Sequence, residues 1–327
     1  MRIAIVGCGA VGGYLAGRAV EAGHEVIVVG RGRTAAVVAK DGLGLSDSAG
    51  GERSVHACCV VDETSSVGVV ELILLCVKAW QVREVLTQLA PLVGPCTRVV
   101  TVQNGLEASQ LVAQRFGALH VMPGALMMVV EQARPGHFKR LGGYADLEVG
   151  PLVEPSEAGA ARINEEVVSV LRSLGLRVSV SHDIQRSLWR KLVFAAAVSG
   201  VPALWGVSAS AARRLSHVDL AVRAAIGEGV EVARSVGVSF TGREVQRLLY
   251  DYQGLPDGMM SSMQRDILLG GPSELLWQNG EIVRRGLLNS IETPVHQRVL
   301  DKLLKLEGSQ VTVASVLQER AIEESAW

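Results

Sequence analysis

The sequence predicts an α/β fold, a doubly wound parallel sheet, followed by an all-helical C-terminal half. Three observations carry the prediction. Short apolar runs alternate with helical stretches through the first half, a glycine-rich turn joins the first run to the first helix, and convincing strand signals stop after about His182.

The opening Arg2-Ile3-Ala4-Ile5-Val6 is a short apolar run ending at glycine, the pattern of a strand buried on both faces. Tyr14 to Ala22 reads as a helix closed by Gly23, His24 to Val29 as a second buried strand, and Glu71–Val77 and Arg98–Val102 repeat the theme. Weaker strand signals lie at Ser54–Val61, His120–Val130, Ala145–Val149 and Leu176–Val180, the last after the helix-like Ala158–Leu174. Beyond these, Asp183–Val198, Leu215–Val236, Arg243–Leu249, Ser273–Leu287 and Pro294–Leu306 show helical spacing. The boundary is placed near Ser181, giving a dinucleotide-binding domain over 1–181 and a helical substrate or dimerisation domain over 182–327, with the last few residues as a frayed tail.

Composition narrows the class. The 327 residues carry 32 Lys+Arg against 33 Asp+Glu, a formal charge of −1, with 48% hydrophobic and 20% charged residues. That apolar content, with a mean hydropathy of +0.28, excludes a disordered chain and makes membrane insertion worth testing. Glu71 and Lys78 interrupt the run around Val69–Val77, and His120 and Pro123 interrupt the stretch up to Val130, so no segment approaches the roughly 18–20 apolar residues of a spanning helix. Met1-Arg2 leads directly into a strand, with no apolar leader, so a soluble cytoplasmic protein without membrane partners is expected. The absence of a clustered Lys/Arg excess argues against nucleic acid as a partner. Cys8, Cys58, Cys59, Cys76 and Cys96 lack metal-site spacing and are expected to be small buried or half-buried thiols in a reducing compartment, with no bound metal.

Gly7-Cys8-Gly9-Ala10-Val11-Gly12-Gly13 satisfies G-x-G-x-x-G between a predicted strand and a predicted helix, the context of a Rossmann-type dinucleotide site. Gly7 allows the tight turn, Gly9 lets backbone approach a pyrophosphate, and Gly12 lets the helix pack closely on the strand. At the end of the second strand, NAD-binding proteins keep an acid for the ribose 2′-hydroxyl, but here the chain reads Val29-Gly30-Arg31-Gly32-Arg33. Small residues leave room there and a guanidinium can pair with a 2′-phosphate, so NADP(H) is favoured over NAD(H), through Arg31 or Arg33.

Leu75-Cys76-Val77-Lys78-Ala79-Trp80-Gln81, Gln103-Asn104-Gly105-Leu106-Glu107, Leu188-Trp189-Arg190-Lys191-Leu192 and Ser261-Ser262-Met263-Gln264-Arg265-Asp266, with the later Glu274, together resemble the ketopantoate reductase family. The resemblance runs in order along nearly the whole chain. It implies that Lys78 lies close to the cofactor and that Asn104 touches it near its reactive end. It also implies that Lys191 is the catalytic proton donor, that Glu274 is a second key acid also near the cofactor, and that Ser262 contacts substrate. An ammonium at Lys191 suits both proton donation and stabilisation of a developing alkoxide. Asp266 reads as a helix-capping or structural carboxylate.

The departures from the family pattern concern the substrate pocket. Where the family presents asparagines four and eight residues after the lysine, this chain has Ala195 and Ser199, and two further pocket asparagines fall on Ala209 and Met259. Spacings of four and eight keep Lys191, Ala195 and Ser199 on one helical face. Each lost hydrogen bond to a charged or strongly polar group is worth roughly 1.5–3 kcal/mol, so ketopantoate turnover is expected to fall by orders of magnitude. The expected activity is therefore NADPH-dependent hydride transfer to a carbonyl or imine of a less polar or bulkier small-molecule substrate. Two alternatives stand beside it: authentic ketopantoate reduction, with polar contacts from Ser208 or Ser210, and an NADPH-binding protein without redox turnover. The Ala-, Val- and Leu-rich stretch Leu192–Ala212 suits packing within the subunit or a homodimer.

Overall fold

The computed structural model describes residues 1–47, 51–56 and 58–306, leaving aside the side chains of residues 143 and 144, so the expected frayed tail lies outside the described residues. The chain forms two compact units: one of Met1–Gln103 with Glu107–Leu188, the other of Asn104–Leu106 with the described chain from Trp189 onward.

The first unit is built on β1 (Arg2–Val6), β2 (Glu25–Val29), β3 (Leu43–Ser46), β4 (Arg53–Val55), β5 (Cys58–Val61), β6 (Leu72–Leu75), β7 (Arg98–Thr101), β8 (Val121–Arg134), β9 (His137–Val149) and β10 (Arg177–Val180). Its helices are α1 (Ala10–Glu21), α2 (Gly32–Asp41), α3 (Val82–Leu89), α4 (Glu107–Phe116) and α5 (Ala158–Ser173). Six strands run parallel in the order β5-β2-β1-β6-β7-β8, the doubly wound arrangement expected from the alternating pattern. Successive residues of the central strands point to opposite faces, so Ile3, Ile5, Leu72 and Leu74 join one core while Ala4, Val6, Ile73 and Leu75 join the other. Leu15 and Ala19 of α1 with Val167 and Leu171 of α5 cover the first face, and Val82 and Leu89 of α3 with Ala108 and Val112 of α4 cover the second. Each such large side chain, fully buried, contributes about 1.5–3 kcal/mol.

Beyond these six parallel strands the sheet continues with antiparallel pairs. β8 turns at Pro135-Gly136 into antiparallel β9, β3 and β10 join β9 in parallel, and β4 closes that edge antiparallel to β3. The strand signals at His120–Val130 and Ala145–Val149 mark the proximal parts of β8 and β9, while the distal half was hidden because it carries Glu131, Gln132, Arg134, Lys139 and Arg140, exposed or half-buried polar side chains that dilute the apolar signal. Ser54–Val61, read as one strand, contributes β4 and β5, which lie at opposite edges of the sheet.

The second unit holds the greater part of α6 (Ile184–Leu204), then α7 (Ala209–Ala212), α8 (Ser216–Ser235), α9 (Gly242–Gln253), α10 (Ser262–Leu268), α11 (Asn279–Leu288) and α12 (Pro294–Leu306). Val193, Ala197 and Val201 of α6, Val222 and Ile226 of α8, Ile282 of α11 and Val299 and Leu303 of α12 are buried. A buried polar chain ties the four helices together. The Asn279 amide donates to the Ala196 carbonyl at 3.1 Å and to His296 Nδ1 at 2.9 Å, while His296 Nε2 donates to the Ala225 carbonyl at 2.9 Å. Burial pushes His296 down to about 4, so the ring is neutral and can accept at Nδ1. A second link is the Arg285 guanidinium, 5.6 Å from the Trp189 ring centroid, with its Nε donating to Glu281 at 2.6 Å.

Ser273–Leu287 does not form one helix. The Glu274 carbonyl accepts from both Trp277 and Gln278, Gly280 bonds back to Leu275, and Gln278 adopts φ −108, ψ −86, so regular helix starts only at Asn279. Glu274 thereby sits in the turn before α11 rather than on it. Capping of α10 falls to Ser261, whose hydroxyl accepts from Gln264 N at 3.1 Å, so Asp266 is not a cap. Cys8, Cys58 and Cys76 are half-buried thiols as expected, but Cys59 and Cys96 are exposed. Among the described residues no helix is long and apolar enough to cross a membrane.

Candidate active site

The dinucleotide loop is set by three glycines with different constraints. Gly7 ends β1 with φ +105, donates to the Val29 carbonyl at 2.8 Å, and has Val77 N 2.7 Å from where a Cβ would stand. Gly12 lies on the loop so closely that a Cβ would fall 1.9 Å from the Gly7 carbonyl oxygen. Gly9 differs: it is exposed, caps α1 at φ −81 without a side-chain hydrogen bond, and a Cβ there would meet nothing within 4 Å. The space a side chain would take is free, and Ala10 and Val11 open a 12-residue helix with no acid in its first turn. This backbone fits a pyrophosphate. Cys8 is a packing residue, its thiol pushed up to about 11 by burial and then by neighbouring Cys58.

The end of β2 is equally explicit. Gly30 donates to the Val61 carbonyl at 2.9 Å, and a Cβ at Gly30 would stand 2.8 Å from Cys8 Cβ, so an acid at this position would collide with the glycine loop. Arg31 caps α2, and its Nη1 lies 3.3 Å from Glu84 Oε1 on α3. Arg33 is exposed, two residues on. Lys78 follows β6 by three residues, is half-buried, and its N–H donates to Gln81 Oε1 at 3.2 Å.

In the second unit the sequence-predicted Lys191, Glu274 and Asn104 come together. Glu274 is 4% exposed and accepts from Asn104 Nδ2 at 2.8 Å. The neighbouring Gly105 needs its φ of +87, and a Cβ there would stand 2.6 Å from the Trp277 carbonyl oxygen, which locks the Asn104 segment against the Glu274 turn. Desolvation lowers Lys191 to about 8, and the Glu274 charge partly opposes that shift. The amine is thus poised near neutral pH with an anionic neighbour, the arrangement a general acid requires.

The substrate candidates are more dispersed. Ala195 and Ser199 follow Lys191 by one and two turns of α6, Ala195 half-buried and Ser199 buried. Ala209 is buried and its N–H donates to the Met259 carbonyl at 3.1 Å, while Met259 and Ser262 are half-buried. The two serines considered as replacements for lost amides are engaged elsewhere: Ser208 accepts from Ala211 N at 3.1 Å, and Ser210, fully buried, accepts from Gly258 N at 3.0 Å. Sequence reasoning passed over Asn279, His296 and Glu84. Glu84 reaches Arg31 across 53 positions, Asn279 reaches Ala196 across 83 and His296 reaches Ala225 across 71, while Asn279 and His296 meet each other 17 positions apart from two different helices, and no local spacing announces such pairs.

Fold and site define an oxidoreductase with a Rossmann-like domain and a helical C-terminal domain. The model of the ketopantoate reductase PanE/ApbA family matches residues 3–154, and that of its C-terminal part matches residues 183–307. The chain belongs to the ketopantoate reductase family. A 2-dehydropantoate 2-reductase of Mesorhizobium japonicum is 29% identical, with 94% of this chain and 98% of that protein covered. The structure of a PanE/ApbA family ketopantoate reductase from Ralstonia eutropha JMP134 superposes with a TM-score of 0.83 at 26% identity, over 94% of this chain and 99% of that one. D-mandelate dehydrogenase, solved with NADH and anilino(oxo)acetate, shares the fold at a TM-score of 0.85 and 23% identity, over 94% and 98% of the two chains.

Proposed function

We propose that the protein is an NADPH-dependent reductase of a 2-oxo acid-like carbonyl or an imine, with a substrate less polar or bulkier than ketopantoate. The observation that carries this reading is the half-buried Lys191, its amine desolvated to about 8 beside Glu274, itself held by Asn104. Gly7 to Gly12 would hold the pyrophosphate, Arg31 or Arg33 the 2′-phosphate, and Lys78 and Asn104 would lie toward the cofactor. Gly30 supports NADPH over NADH, since its closeness to Cys8 leaves no room for the acid that would accept from a 2′-hydroxyl.

A bound dihydronicotinamide supplies the hydride. As negative charge gathers on the substrate oxygen or nitrogen, the Lys191 ammonium donates a proton to it and becomes a neutral amine, to be reprotonated from water. The Glu274 carboxylate favours the ammonium beforehand, and Asn104 fixes the carboxylate by donating to one oxygen, so the proton donor meets the substrate in a set orientation. Ser262 would contact the substrate, while Ala195, Ser199, Ala209 and Met259 would present it with a surface poorer in hydrogen-bonding groups than four amides.

Authentic ketopantoate reduction is the second reading, favoured by relatives of that name aligned over most of the chain. Against it, Ser208 and Ser210 already serve backbone groups. Steady-state NADPH oxidation with ketopantoate and a series of bulkier 2-oxo acids and imines decides between them. The expected result is kcat/KM at least about 100-fold lower for ketopantoate than for the best alternative, the loss of two hydrogen bonds at about 1.5 kcal/mol each. Ketopantoate as the best substrate would establish the second reading, and background rates throughout would refute reductase turnover.

A further inference from the structure

We infer that Glu84 tunes cofactor preference by competing with the 2′-phosphate for Arg31. The inference rests on the NADPH reading above. Arg31 and Glu84 form an ion pair at 3.3 Å, with side chains 59% and 63% exposed, so the pair is wet and can be exchanged. Glu84 stands in the first turn of α3, where the helix dipole favours its negative charge independently of Arg31. Arg33, by contrast, makes no ion pair among the described residues, so the two arginines are not equivalent: one guanidinium is already engaged by an anion and the other is available.

A 2′-phosphate carries up to two negative charges. To reach Arg31 it must displace the Glu84 carboxylate or share the guanidinium with it, and in either case two like charges are brought close. A cofactor with a free 2′-hydroxyl faces no such competition. Glu84 therefore narrows the margin by which this site prefers NADPH over NADH.

The test is binding of NADPH and NADH to the full-length protein, followed by tryptophan fluorescence, in wild type, Glu84→Gln, Arg31→Ala and the double variant. In Glu84→Gln, NADPH is expected to bind about two- to fivefold tighter, the size of one exposed ion pair, with NADH unchanged. That gain should vanish in the Arg31→Ala background. If Glu84→Gln leaves the NADPH-to-NADH ratio unaltered while Arg31→Ala lowers it, the competition is refuted and the NADPH reading stands. If Arg31→Ala leaves the ratio unaltered, Arg31 does not carry the phosphate contact, and the inference fails together with that assignment.

Discussion

At the scale of single residues, the protonation of Lys191 governs the chemistry. Its amine titrates at about 8, below the ordinary 10.5, because burial disfavours the charged form. The ammonium is present below that value and lost as pH rises through it, so kcat/KM should decline on the alkaline side with a midpoint near pH 8. Lys191→Ala is expected to remove this limb and to lower kcat by about 10²–10⁴. Glu274→Gln deletes the charge that raises the lysine, so the limb should move to lower pH; movement upward would show that Glu274 does not act on Lys191 electrostatically. Because the folded pKa is depressed, the same lysine makes stability increase with pH between about 8 and 10.5, opposite in direction to the activity.

At the scale of elements, the β1–α1 turn separates two glycines that a motif scores alike. Gly12→Ala drives a methyl into the Gly7 carbonyl, 1.9 Å away, and overpacking of this kind costs about 1–3 kcal/mol or more. A fall in melting temperature of about 3 °C or more is expected. Gly9→Ala meets no atom within 4 Å and keeps an allowed φ of −81, so its melting temperature should stay within about 2 °C of wild type. Its NADPH affinity should nevertheless fall at least about tenfold, because the methyl occupies the space proposed for the pyrophosphate. Thermal unfolding and cofactor titration of the two variants, run side by side, would expose an error if both lost stability or both kept affinity.

At the scale of the whole molecule, the second unit depends on a histidine that must stay neutral. His296 titrates at about 4 when folded, against about 6.5 when unfolded. Below pH 6.5 the unfolded chain takes up a proton that the folded one refuses, so stability falls as pH drops toward 4. Between pH 7 and 5 this single group removes about 2 kcal/mol. Urea unfolding of His296→Asn should show that much less dependence on pH over this interval, whatever its absolute stability.

The parallel core was legible because its strands are buried on both faces and therefore written as unbroken apolar runs, as in Leu72 to Leu75. Of the β8–β9 hairpin only the proximal parts were legible, since the distal half is rich in exposed polar residues and the pairing of the two strands is settled by register rather than composition. Likewise Gly7 to Gly12 could be named from the motif between a strand and a helix, whereas Lys191, Asn104 and Glu274 were implied by the family resemblance. The turn that carries Glu274 has no local signal, because Leu275, Leu276, Ile282 and Val283 continue the helical spacing across a break in the backbone.

From its residues alone this chain determines an alternating α/β first half, a dinucleotide loop, an Arg-Gly-Arg in place of an acid, and a lysine on a helix; all of these follow from local periodicity and steric need. Tertiary structure alone decided that Asn104 donates to Glu274, that Lys191 is desolvated to near-neutral titration, and that Arg31 is engaged by Glu84. Each of these is a contact or a burial between segments far apart in the chain. Proton affinity and charge competition are set by what folding brings within a few ångströms, which no local pattern encodes.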